Sequence, residues 1–535
     1  AKGFGYRNLA DSLPATENTL YAIGSCTKAF TATAAGMLVE DGVLDWDEPV
    51  RTYLPDFKLY DDFASEQMTT RDLLCHRSGL PRHDMVWYTG NDTRENLMER
   101  LAHLEPSKPF RYTFQYQNLM FMAAGYLVGQ LSQSTWEQVV QERLLDPLEM
   151  TRTVFTIEAM TSTDDYALPY TWDEDSLIEI PYRHLDGVAP AGSINSSVTD
   201  MANWMIMQLG SGKYNGNEIV KASTLRETHQ PQIPIPGGNA YAERQNNSYG
   251  LGWFVEVYRG HRMVQHGGGI DGFTAWVVLL PEDGLGICCL TNRDATMLNT
   301  VTALRAADLF LDLEPIDWYA RLSGDDGSED EEEDSDDEKP EQQKPVKGTK
   351  PSHKLKAYTG EFAHPGYGTI TVELEDKQLR ARLNEFPAAL EHWHYDVFRL
   401  TENRQIGEQT LLVNFRTNEK GDIGSIVMSL QPGVDPVVFE RQASAELRDE
   451  DYLQQFVGEY QFEGGPTMKI ELKAGALYAV IPGQPTYELE PYERNEFNLK
   501  GLTGYSMIFV VEDDKVIEAQ SHQPNGIFTA ERASD

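Results

Sequence analysis

In GSCTK, residues 24–28, a serine stands three positions ahead of a lysine. A serine hydroxyl is a weak nucleophile: it needs a base for its proton and donors for the oxyanion that its attack creates. Lysine serves as that base once burial lowers its pKa, and i, i+3 spacing sets both groups on one helix face. A helix N-terminus adds backbone N–H groups and the positive end of the dipole. Two other clusters supply what this pair lacks. FQYQNLM carries Tyr116 and Asn118 just ahead of an apolar helical pattern; a phenol beside an ammonium can share its proton, and the amide can hold Lys28 or a substrate carbonyl. QHGGGIDG puts His266 beside glycines that let backbone approach a ligand closely. Each has an ordinary reading as well. Asn118 suits a helix cap, Tyr-x-Asn recurs at Tyr6–Asn8, and His-x-Gly recurs at His364–Gly366.

The elements that must position these groups follow from periodicity. Residues 26–41, CTKAFTATAAGMLVED, predict a helix with Ser25 at its N-terminus and Gly42 as its stop. NLMFMAAGYLVGQLS predicts a second, buried helix, and SSVTDMANWMIMQLGSG a third, capped by Ser197 or Thr199. Between residues 249 and 293 the pattern turns to strands separated by Gly-rich or PEDG turns, with His266 at the end of one strand. A helix from about Met297 to Leu313 then closes a region of α/β (α+β) layering, helices packed on an antiparallel sheet.

Residues 323–352 form an acidic stretch, expected as a flexible linker between a first domain, 1–322, and an all-β region, 353–535. That last region repeats itself: YTGEFAHPGYGTITVELEDKQLRARL from Tyr358 matches FVGEYQFEGGPTMKIELKAGALYAVI from Phe456. The two blocks, about 355–440 and 453–533, are expected to close together as one eight-stranded barrel without exposed edges.

The formal net charge of −39 argues against nucleic acid or an anionic membrane as partner. Eleven of the carboxylates lie between Asp325 and Glu338, but their removal leaves an excess of 28, so the acidity is general. No apolar run reaches the ~18–20 residues of a membrane helix, and no secretory signal is visible. Cytosol is therefore the default, although the first residue is not Met. Four cysteines do not make a disulfide framework in 535 residues. His76 and His83 read as structural. His392 and His394 share a strand face without a third ligand, so neither metal nor cofactor is expected.

Ser-x-x-Lys, Tyr-x-Asn and His-x-Gly in this order resemble the serine β-lactamase and penicillin-binding-protein superfamily. More narrowly, the chain resembles the class C β-lactamase-related group, called CubicO or S12 peptidase-like. TLYAIGSCTKAFTA, DGVLDWDEPVRTYLPDF, TTRDLLCHRSGLPRHD, AGSINSSVTDMANW and SYGLGWFV carry the likeness across roughly residues 3–315. The tail, with GQP and HQPNG, resembles the lipocalin-like domain of some peptidases and esterases in that group. The resemblance implies a β-lactamase-like transpeptidase fold with a lipocalin-like barrel. It also implies a serine hydrolase acting on a small-molecule or peptide substrate, with an oligomer compatible. Ser25 would be the acylated nucleophile, Lys28 its proton partner, and Tyr116 the base and then the acid. Asn118 would orient Lys28 and the substrate amide, and the N–H groups of Ser25 and Gly269 would form the oxyanion hole, with His266 and Gly268 beside it. Whether Lys28 or Tyr116 takes the proton stays open. His266-Gly267-Gly268 in place of K-T-G weakens the cation that would recognise a penicillin carboxylate. The resemblance also implies that the chain starts at the second strand of the fold, without the usual first helix and strand. Peptide amides, D-residues among them, or esters are the expected substrates. An acyltransferase or peptide cyclase, a true β-lactamase and a non-catalytic binding protein are the alternatives, in that order.

Overall fold

The computed structural model describes residues 1–88, 92–173, 175–237, 241–323, 344–384, 386–401, 411–513 and 515–533. It divides into two compact units. The first holds Ala1–Gln343 with the short stretches Pro365–Tyr367 and Ser429–Pro436; the second holds the remainder of the chain from Lys344.

In the first unit, six strands form one sheet: β1 (Ile233–Pro234), β2 (Arg244–Tyr249), β3 (Phe254–Tyr258), β4 (His261–Ile270), β5 (Phe273–Leu280) and β6 (Leu285–Thr291). They lie in sequence order, and every neighbouring pair is antiparallel. β4 does not stop at His266 as expected. It runs on through the glycines to Ile270, because Gly267, Gly268 and Gly269 still pair with Trp276, Ala275 and Thr274 of β5.

Four helices match the periodic segments: α1 (Thr27–Glu40), α2 (Asn118–Leu131), α3 (Val198–Leu209) and α4 (Leu298–Phe310). α1 is buried on all sides from Thr27 to Leu38. Its run of Ala, Thr and Gly lets neighbours approach closely, and Phe30 stacks on Trp204 of α3 at 3.8 Å between ring centroids. Ser197 caps α3 through its side chain, which accepts from the Asp200 N–H.

The second unit corrects the expectation of a single barrel. Each repeat closes a barrel of its own, eight strands from Gly360–His364 to Val437–Gln442 and eight from Gly458–Phe462 to Gly526–Arg532. Equivalent residues explain this. Arg441 in the last strand of the first barrel lies 5.1 Å from the Phe362 ring centroid, and Arg532 in the second lies 5.9 Å from Tyr460. Arg441 donates to the carbonyls of Ala357, Thr359 and Ile423, and Arg532 to those of Gln455, Val457 and Val516. Each guanidinium thus ties the last strand of a repeat to the entry of its first, which closes the ring within one repeat. Of the expected linker, residues 324–343 lie outside the described residues. Residues 344–352, taken with it from composition, belong instead to the second unit, where the Ser352 N–H donates to Asp396 Oδ1 at 2.8 Å.

Candidate active site

Ser25 sits in a single 3₁₀ turn, Gly24–Cys26, that leads into α1. The turn presses against β4. A Cβ on Gly268 would overlap the Ile23 carbonyl oxygen, and one on Gly24, whose φ is +50°, would stand 2.9 Å from the Gly269 nitrogen. Only glycine permits this approach, which brings the Ser25 and Gly269 nitrogens to the same small space. Gly269 is exposed there, while Gly268 is buried.

Lys28, in the first turn of α1, has no solvent exposure. Its Nζ lies 2.7 Å from Asn118 Oδ1, 2.8 Å from the Ala191 carbonyl and 2.9 Å from Ser25 Oγ. The first two partners can only accept, so they take two N–H groups and turn the third position of the amine toward Ser25. Burial holds the Lys28 pKa well below its ordinary value; the Arg82 cation adds to the shift and Asp84 opposes it. In its neutral form the lone pair of Lys28 points at the serine hydroxyl.

The helix start of α2 explains why Asn118 is available. The cap role belongs to Gln117, whose side chain accepts from the Leu119 N–H at 2.8 Å. Asn118 Nδ2 donates to Asp84 Oδ1 at 3.0 Å, which fixes the amide with its oxygen toward Lys28. Asp84 in turn accepts from the Trp87 indole N–H at 2.9 Å and pairs with Arg82 at 2.5 Å.

Tyr116 is half-buried. Burial raises its pKa, opposed chiefly by the neighbouring Ser25 hydroxyl, and the net shift favours the protonated phenol. The ring is held between Lys28 Nζ, 4.8 Å from its centroid, and His76, 4.2 Å away and tilted by 31°. His76 Nδ1 accepts from the Gln117 N–H at 3.0 Å, while its buried Nε2 has no partner among the described residues. Burial, then Lys28 and His266, push the His76 pKa well down.

His266 faces Tyr249 through Nε2, 2.9 Å from the phenol oxygen, and Gly267 O through Nδ1, at 2.6 Å. Burial first, then Lys28, lowers its pKa to about 3. His266 is therefore a neutral wall, not a cation for a substrate carboxylate. Cys26, next to the serine, is buried with its thiol 3.2 Å from the His266 carbonyl, and burial pushes its pKa to about 12. It is no rival nucleophile.

The structure thus brings Ser25, Lys28, Tyr116, Asn118, His266, Gly268 and Gly269 together. Sequence reasoning missed Asp84, Arg82, Tyr249 and the Ala191 carbonyl. It also read His76 as structural without seeing the ring it supports. Ala191 and Asp84 both fall inside stretches that carried the family likeness, but nothing in their types pointed to Lys28. His392 and His394 bond to backbone, with His392 Nε2 3.0 Å from the Tyr395 carbonyl and the Val346 N–H 3.4 Å from His394 Nδ1.

Among the described residues, no helix is long and apolar enough to cross a membrane. Comparison with known proteins gives a consistent picture. Residues 344–441 match a domain of unknown function, DUF3471. The unguisins hydrolase ungD' of Aspergillus campestris is 29% identical over 402 residues, which is 70% of this chain and 72% of that protein. The unguisins hydrolase ungD of Aspergillus violaceofuscus is 28% identical over 492 residues, 83% of this chain and 85% of the relative. Among solved structures, the octameric penicillin-binding protein homologue from Pyrococcus abyssi aligns with a TM-score of 0.52 at 23% identity. That alignment covers 82% of this chain and 92% of the homologue, and it supports the fold alone. The Beta-lactamase family model matches residues 1–311, more than half of the chain. The chain therefore belongs to the Beta-lactamase family and is an enzyme of the serine hydrolase kind.

Proposed function

We propose that the chain hydrolyses peptide amides or esters through an acyl-enzyme on Ser25. The observation that carries this reading is the bonding of Lys28, with two obligate acceptors and its remaining position on Ser25 Oγ. Neutral Lys28 takes the serine proton as Oγ attacks the substrate carbonyl. The N–H groups of Ser25 and Gly269 receive the oxyanion. The proton then passes through the Tyr116 hydroxyl to the leaving amine or alcohol as its bond to carbon breaks. Water next attacks the ester, giving its proton to the same pair, and Ser25 Oγ leaves carrying a proton back. In this order Lys28 is the base of acylation and Tyr116 the acid, because burial favours the uncharged form of both groups. The groups titrate as a coupled unit.

Two relatives named as hydrolases favour water as the acyl acceptor over an amine or alcohol. The neutral His266 speaks against penicillins as substrates, since a penicillin carboxylate finds no cation there. The test is intact-protein mass after mixing with activated esters, aminoacyl amides of both hands and a penicillin, with Ser25→Ala alongside. A stoichiometric adduct that Ser25→Ala abolishes is expected with esters or amides. No adduct and no turnover with any of them overturns the reading. Product analysis with added amine separates hydrolysis from acyl transfer.

A further inference from the structure

A pocket of about 320 Å³ opens beside this site, lined by Trp87, Leu97, Leu185 and Val188 with Asp92, Glu158, His184 and Asp186. Its size falls at the lower end of small-molecule sites. It is large enough for one bulky side chain and too small for a folded partner.

Two of its walls reach residues next to the reacting groups. Trp87 donates to Asp84 Oδ1, which also receives the Asn118 amide. On the other side, Leu185 Cδ1 comes within 3.5 Å of where a Cβ on Gly192 would stand, and the Gly24 carbonyl carbon within 3.7 Å of the same point. The pocket therefore lies between Trp87, joined through Asp84 to Asn118, which would hold the acyl-side amide, and Leu185, which packs near the turn that carries Ser25. Gly187 makes the wall possible: a Cβ there would overlap the Asp92 carbonyl oxygen, so only glycine lets residues 184–188 close against that segment.

We propose that this pocket is the acyl-side specificity subsite, taking a large apolar side chain and refusing an anionic one. The inference rests on the hydrolase reading above. Trp87, Leu97, Leu185 and Val188 offer the apolar surface that a phenylalanine- or leucine-sized group would remove from water. Among the described residues, the lining includes three carboxylates and neither lysine nor arginine. Arg100 is committed to Asp92 at 2.6 Å and His184 Nδ1 stands 3.3 Å from Glu158, so each of these basic groups already faces a carboxylate, and an anion entering the pocket meets the exposed Asp186 as like charge.

The experiment compares kcat/KM for 4-nitrophenyl acetate and for the 4-nitrophenyl esters of N-acetylated alanine, leucine, phenylalanine and glutamate, each residue in both hands. In the unmodified protein, phenylalanine is expected to exceed alanine about tenfold or more in the preferred hand, with glutamate lowest. Leu185→Trp should narrow the pocket and collapse the phenylalanine-to-alanine ratio toward about one, and Leu185→Ala should move it the other way. The exposed Glu158→Gln should raise glutamate turnover severalfold without a packing change. Turnover of the acetate with a flat profile across the amino acids, or ratios untouched by either Leu185 variant, overturns the subsite. No Ser25 adduct from the acetate or any other ester counts against the hydrolase reading itself.

Discussion

Around Ser25 the chain buries an amine, two imidazoles and a carboxamide, Lys28, His76, His266 and Asn118. The barrels bury rings instead: Tyr358, Phe362, Phe398 and Phe415 in the first, Phe456, Tyr460, Phe497 and Phe509 in the second. In the first barrel neighbouring rings stand 5.0–5.9 Å apart, and in the second 4.7–5.6 Å, the spacings of packed aromatic pairs. The rings occupy matching places in the two repeats. The difference teaches where each region spends its stability. An aromatic core gains from every contact, whereas a buried amine costs desolvation that its hydrogen bonds only partly return. Such a cost persists where the uncharged amine is the useful species.

The largest test of that contrast removes the amine. Lys28→Met should lower kcat/KM by about 10⁴-fold or more while leaving the unfolding midpoint unchanged or higher, as a hydrophobe of similar length replaces a group that burial penalises. An unfolding midpoint lowered as far as by a core cavity would mean that Lys28 is structural. Next, Phe497→Ala should destabilise the second barrel by about 3–5 kcal/mol, read by denaturant unfolding, with acyl-enzyme formation unaffected below the transition. Asp84→Asn should cost about 10²-fold in kcat/KM by releasing the Asn118 amide. Since Asp84 raises the Lys28 pKa, the rising limb of the pH profile should also move to lower pH, a shift that a purely structural role would not produce.

The most gradual effect lies in the pH dependence of stability. His229 and His266 are both lowered to about 3, chiefly by burial. In the unfolded chain they protonate near the ordinary value of about 6.5, so the unfolded state binds more protons below that pH. Their contribution is complete above about 6.5 and is lost as pH falls toward 3, by up to about 1.4 kcal/mol per pH unit for each group. Chemical unfolding at stepped pH should show this decline. Correspondingly, kcat/KM should show no titration of His266 near pH 6.5; a step there that His266→Gln removes would give this residue a proton to exchange.

The three motifs were legible in the sequence because their chemistry is local. Ser25 and Lys28 share a helix face by spacing alone, and the helices from Thr27, Asn118 and Val198 follow apolar periodicity that tertiary packing did not overrule. The repeat was equally legible. Its consequence was not, because strand count alone does not say whether two blocks close together or apart. Each ring is closed by the ladder between the first and last strands of its own repeat, where Arg441 and Arg532 reach the carbonyls at the entry of that repeat. Periodicity also ended β4 at His266, since glycine runs look like turns. The hydrogen-bonded neighbour β5 keeps them in the sheet.

What the sequence determined by itself is which groups can react: a serine, an amine one turn away, a phenol, and glycines able to admit a carbonyl. Only the tertiary structure decided what surrounds them. Burial lowers the pKa of the amine, and Asn118 and Ala191, residues 90 and 163 positions away, aim it. Asp84 fixes that aim by holding the amide the right way round. Charge state and direction depend on what surrounds a group in space, and no spacing along the chain encodes that.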